Sequence, residues 1–123
     1  MKTILLVDDS STLRMSMTSI LSKAGYQTQE APDAEKALAM LKAGLKPNLV
    51  ITDLNMPGMD GIGLIREARK LPGLRFTPML MLTTESQQEK RREARTAGAT
   101  GWLVKPVAAK DLLKVIKQVV PGA

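Results

Sequence analysis

Cysteine and histidine are both missing from the 123 residues, and Phe, Tyr and Trp occur once each. Their absence removes thiol chemistry, disulfides, imidazole general bases and the usual zinc sites. Any chemistry here must run on carboxylates, hydroxyls, lysine, backbone groups or a hard metal ion. Two per cent aromatics leave little to stack on single-stranded nucleic acid. No apolar run approaches the roughly 18 residues of a membrane span. The opening MKTILLVDD turns acidic too soon for a secretory signal, so a cytoplasmic protein without membrane insertion is expected.

What is present reads as one globular domain covering 1–123, with 44% apolar and 24% charged residues and no linker or low-complexity tract. The net charge of +6 is lopsided: residues 1–60 carry six basic and seven acidic residues, residues 61–123 twelve and five. Short apolar runs at 3–7, 26–30, 48–52, 78–83 and 101–104 alternate with helical spacings such as Leu13, Met17, Ile20, Leu21 and Ala24. Asp33, Asp60 and Ser86 are placed as helix N-caps, and Gly25, Gly44, Gly73 and Gly98 as helix stops. Five such strand–helix units predict an α/β fold, a doubly wound parallel sheet with helices on both faces. The segment 86–97 has almost no apolar stripe, so thin contact with the core is expected of it.

Ligands of such sheets bind beyond the carboxyl ends of the strands. The first strand ends in Asp8-Asp9, the third in Thr52-Asp53, the fourth in Thr83-Thr84 and the fifth in Lys105-Pro106. A strand order 2-1-3-4-5 would make these four tips neighbours. Three carboxylates gathered in one pocket repel and need a cation, and an all-oxygen set without His or Cys suits Mg²⁺. With a hydroxyl from Thr83 and the ammonium of Lys105, the site could hold a phosphoryl group, and an Asp carboxylate can accept one.

The segments LLVDDSSTLR, VITDLNMPGMDG, MLTTES and GATGWLVKPV, in this order, resemble the receiver domain of bacterial response regulators, and the resemblance spans essentially the whole chain. It is strongest to the stand-alone chemotaxis members of that family. It implies a flavodoxin-like (βα)5 fold, and the order 2-1-3-4-5 is itself the family's. It further implies that a histidine kinase phosphorylates Asp53. Asp8, Asp9 and Asp53 would hold Mg²⁺ together with the backbone carbonyl of Asn55. Thr83 and Lys105 would bind the phosphoryl oxygens, with Thr84 beside them. Pro57 and Gly61 would shape the loop after Asp53, Gly61 through a positive φ. Pro106 would follow a cis peptide. Trp102 stands where the family usually has a switching Tyr or Phe; the larger indole disfavours full inward burial, which leaves a partner contact as the alternative. Asn55 and Glu85 resemble the pair found in regulators with short-lived phosphoryl groups.

The resemblance implies a switch protein rather than an enzyme, read out on the face of the fourth helix, fifth strand and fifth helix. Lys90, Arg91, Arg95, Trp102, Lys110, Lys114 and Lys117 form that candidate partner face. The chain ends soon after its last helical pattern, so no DNA-binding domain is expected, and output falls to a partner protein such as a flagellar motor component. A monomer, or a weak phosphorylation-dependent dimer, is anticipated. Alternatives are a phosphoryl sink or relay outside chemotaxis, and nucleic-acid binding through the basic fourth helix. A nucleotide-binding enzyme is disfavoured, because DDSSTL lacks a Gly-rich phosphate turn.

Overall fold

Apolar residues that alternate along a strand face opposite sides of a sheet, and a sheet buried on both sides needs helices over each. The computed structural model describes residues 1–123 and has this arrangement. Strands β1 (Thr3–Val7), β2 (Gln27–Ala31), β3 (Leu49–Thr52), β4 (Met79–Thr83) and β5 (Gly101–Val104) alternate with helices α1 (Ser11–Lys23), α2 (Ala34–Lys42), α3 (Gly61–Ala68), α4 (Gln88–Ala97) and α5 (Ala109–Val119). All strand pairs are parallel, in the order β2-β1-β3-β4-β5. The expected α/β class and strand order both hold.

Ile4 and Leu6 of β1 face one core, shared with Leu21, Tyr26, Leu112 and Ile116. Leu5 and Val7 face the other, shared with Ala37, Leu38, Leu64, Ile65 and Met81. Each fully buried Leu or Ile contributes about 1.5–3 kcal/mol. Strands β3 and β4 are buried along their whole length, whereas the edge strands β2 and β5 are partly open. Strand register aligns Val7 with Thr52 and Thr83 with Val104, so the chemistry-bearing tips end side by side.

Asp33 and Asp60 cap α2 and α3, accepting from the Lys36 and Gly63 amides. Ser10, not singled out from the sequence, caps α1 in the same way. Ser86 does not cap α4. That helix starts one residue later with Gln87 at the cap position and no side-chain bond. Just ahead of the helix, Glu85 Oε2 accepts the amides of Ser86 and Gln87 at 3.2 Å each. Gly73 is not a helix stop either: α3 ends at Ala68, and Gly73 lies in a later turn at φ +84°. As expected, α4 buries only Ala94.

Its C-terminal end is nonetheless well held. Gly98, at φ +114°, closes α4 in the left-handed conformation that favours glycine. Arg69 forks onto the Gly98 carbonyl at 3.1 and 2.7 Å and also donates to Leu74, Arg75 and Thr77 carbonyls at 2.8, 3.2 and 2.6 Å. A Cβ at Gly98 would come within 2.8 Å of the Arg69 Nε. Burial lowers the Arg69 pKa from its ordinary value, and no carboxylate lies beside it. Helix α4 is thus clamped at one end and weakly capped at the other.

Candidate functional site

A strand that stops at the edge of the sheet turns its next residues into the crevice above it. Asp53 leaves β3 with its amide still donating to the Val7 carbonyl at 3.0 Å, and Asp8 leaves β1 with its amide on Ala31 at 3.2 Å. The first bond holds Asp53 beside the end of β1, next to Asp8, and the second ties Asp8 to β2 on the other side. Carboxylate oxygens of Asp8, Asp9 and Asp53 all lie within 4.8 Å of one another. Asp8 is buried and Asp53 nearly so, while Asp9 is exposed.

Lys105, from the tip of β5, reaches across to both inner carboxylates. Its Nζ is 3.1 Å from Asp8 Oδ2 and 3.2 Å from Asp53 Oδ2. The second oxygens are used too: Asp8 Oδ1 accepts from the Ser10 amide at 2.9 Å, and Asp53 Oδ1 from Leu54 at 2.7 Å. The ammonium offsets part of the repulsion but leaves an excess of negative charge. An all-oxygen donor set with residual charge fits a hard divalent cation.

Arg14 and Glu35 extend the site beyond the residues taken from the sequence. Arg14 of α1 bonds the Asp8 carbonyl and pairs with Glu30 at 3.1 Å, fixing the peptide between the two acidic residues. Glu35 of α2 accepts from the Met59 amide at 2.9 Å and so tethers the loop after β3. An Arg four residues into α1 with an acid at the end of β2 was the available signal, but pairing them needs the β1–β2 register.

Gly61 requires a correction. Its φ is not positive; Gly58 has the positive φ in this loop, at +79°. Gly61 opens α3 so near β3 that a Cβ would lie 2.2 Å from the Asp53 carbonyl oxygen, so close approach is what demands glycine. Pro57 is exposed in the same loop, as is Asn55. The Lys105–Pro106 peptide is cis.

Thr83 is fully buried at the tip of β4, its Oγ1 accepting from the Glu85 amide at 3.3 Å, while Thr84 is exposed. Trp102 is half-buried, packs on the core and donates from Nε1 to the Glu85 carbonyl at 3.0 Å. It therefore ties β5 to the β4–α4 loop. Arg91, Arg95 and Trp102 line one cavity between α4 and β5. Lys90 instead pairs with Glu93 at 3.6 Å. Lys110, Lys114 and Lys117 are exposed along α5, but Lys117 lines a groove with Lys2 and Tyr26 away from that cavity.

A family model for the response regulator receiver domain matches residues 4–117. The chain is 43% identical over 117 residues to chemotaxis protein CheY-3 of Vibrio cholerae, covering 94% of this chain and 89% of that protein. It is 41% identical over 117 residues to chemotaxis protein CheY of Pseudomonas aeruginosa, covering 94% of each. A solved structure of Vibrio cholerae CheY4 superposes with a TM-score of 0.93 at 41% identity, over 98% of this chain and 99% of that one. No helix is long and apolar enough to cross a membrane.

Proposed function

The chain belongs to the response regulator receiver domain family of two-component signalling, and from that premise we propose that residues 1–123 act as one phosphorylation-driven switch, with Asp53 accepting the phosphoryl group of a histidine kinase. The observation that carries this reading is the carboxylate cluster of Asp8, Asp9 and Asp53 bridged by Lys105. Relatives named as chemotaxis proteins support a cytoplasmic role in chemotaxis, with a partner protein as output.

In this mechanism an Asp53 oxygen attacks the phosphorus of a phosphohistidine, the P–N bond breaks and the imidazole leaves. Asp8, Asp9, Asp53 and the Asn55 carbonyl would hold Mg²⁺, which supplies neutralisation of charge on the carboxylates and phosphoryl oxygens. Lys105 already bonds Asp53 and turns to the new phosphoryl oxygens with a small shift. Thr83 gives up the Glu85 amide to donate its hydroxyl. Because Glu85 also carries the Trp102 indole and the two amides just ahead of α4, a movement of Thr83 is felt along the β4–α4 loop and at β5. The clamp at Arg69 makes the N-terminal half of α4 the part that moves.

Phosphotransfer from a radiolabelled chemotaxis kinase tests the reading. Mg²⁺-dependent labelling is expected in the wild type and none in Asp53→Asn; undiminished labelling of that variant sinks it.

A further inference from the structure

In a parallel sheet all strands start at one edge, so the segments entering them share one end of the molecule and those leaving them share the other. Here the two ends differ sharply in charge. The leaving segments, residues 8–10, 32–33, 53–60, 84–87 and 105–108, carry six acidic side chains and one basic. The entering segments, residues 1–2, 24–26, 43–48, 69–78 and 98–100, carry five basic side chains and no acidic one. Lys23, Lys42 and Lys117, in the last turns of α1, α2 and α5, add to the basic end. Of these, Lys2, Lys23, Lys42, Lys46, Arg75 and Lys117 have no carboxylate within salt-bridge distance. Phe76, the one phenylalanine, stands 88% exposed among them, with the Arg75 guanidinium 5.6 Å from its ring centre.

We propose that this end is a docking face for an anionic lipid surface, with Phe76 as its interfacial anchor. The cations do not converge on one pocket. They are spread over separate shallow grooves, one holding Lys2 and Lys117, another Lys42 and Lys46, a third Arg75 and Phe76. Such a spread suits many headgroups in a plane better than one charged ligand. An aromatic side chain on a loop tip among lysines and arginines is the arrangement that sits at a bilayer interface. The acidic end is repelled by the same surface, so docking orients the domain with Asp8, Asp9 and Asp53 facing away from the lipid. The proposal concerns the opposite end from the carboxylate pocket and does not rest on phosphorylation.

The test is co-sedimentation of the full chain with phosphatidylcholine vesicles, with and without phosphatidylglycerol. Binding is expected only with the anionic lipid, and loss of binding at high salt. Neutralising the pair Lys46→Gln/Arg75→Gln should weaken partitioning by about 25-fold, roughly fivefold per charge. Phe76→Ser should weaken it severalfold at unchanged net charge. The pair Arg66→Gln/Arg92→Gln removes the same charge from the flank between α3 and α4 and should leave most of the binding. Equal binding to neutral vesicles, or equal loss from the flank pair, overturns the proposal. So does tighter binding to polyaspartate or duplex DNA than to anionic vesicles, which would make the ligand a polyanionic macromolecule.

Discussion

Replacing Arg69 by Ala removes five hydrogen bonds that end on four backbone carbonyls. Bonds from a charged donor contribute about 1.5–3 kcal/mol each before desolvation is set against them. Burial of this guanidinium opposes that gain and lowers its pKa, and the exposed Arg75 carbonyl can turn to water. Assigning about 1 kcal/mol to each of the Gly98, Leu74 and Thr77 carbonyls gives a loss of about 3 kcal/mol, out of a total of roughly 5–15. With a urea slope of about 1.5 kcal/mol/M, the unfolding midpoint should fall by about 2 M at unchanged slope. Arg69→Lys offers one point charge in place of a planar fork and should recover only part of this. Both folded and unfolded guanidinium are charged at neutral pH, so the loss should be flat from about pH 6 to 9. Hydrogen exchange should show lost protection at the Gly98 and Ala99 amides, which close onto Ala94. A midpoint shift below about 0.5 M, or protection unchanged there, refutes the clamp.

Gly61→Ala forces a Cβ against the Asp53 carbonyl, and overpacking of about 3 kcal/mol should lower the thermal midpoint by roughly 10 °C; an unchanged midpoint in a melting scan contradicts the close approach. Arg14→Ala frees the Asp8–Asp9 peptide and should weaken Mg²⁺ binding by about tenfold in calorimetric titration, with partial recovery in Arg14→Lys. Equal affinity in all three proteins would remove Arg14 from the site. Trp102 is the one tryptophan, so its emission reports the Glu85 contact directly. Beryllofluoride with Mg²⁺ should change that emission in the wild type and not in Asp53→Asn, and an unresponsive wild type would uncouple the indole from the pocket.

Much of the fold was legible because parallel strands buried on both faces read as plain apolar runs, as in LLV and LVIT, and because Asp33 and Asp60 cap where local chemistry alone decides. Ser86 failed as a cap because α4 begins one residue later than the sequence pattern suggests, with Gln87 at the cap position, and no local rule fixes that boundary to a single residue. Gly61 was identified as important for the wrong reason: a positive φ is a local property, whereas contact with the Asp53 carbonyl depends on how α3 returns to β3. Arg14, Glu30 and Glu35 went unassigned, since each meets its partner across elements distant in sequence.

The net charge of +6 is a property of composition that any reading of the chain must return, and so are the absence of imidazole and thiol and the carboxylates at the strand tips. Where the charge sits is different. Along the chain it divides into a near-neutral first half and a basic second half. In space it divides into an acidic end and a basic end, because parallel strands sort every leaving segment from every entering one. Only the tertiary structure makes that sorting, and with it brings Asp8, Asp53 and Lys105 within hydrogen-bond distance from positions up to 97 residues apart.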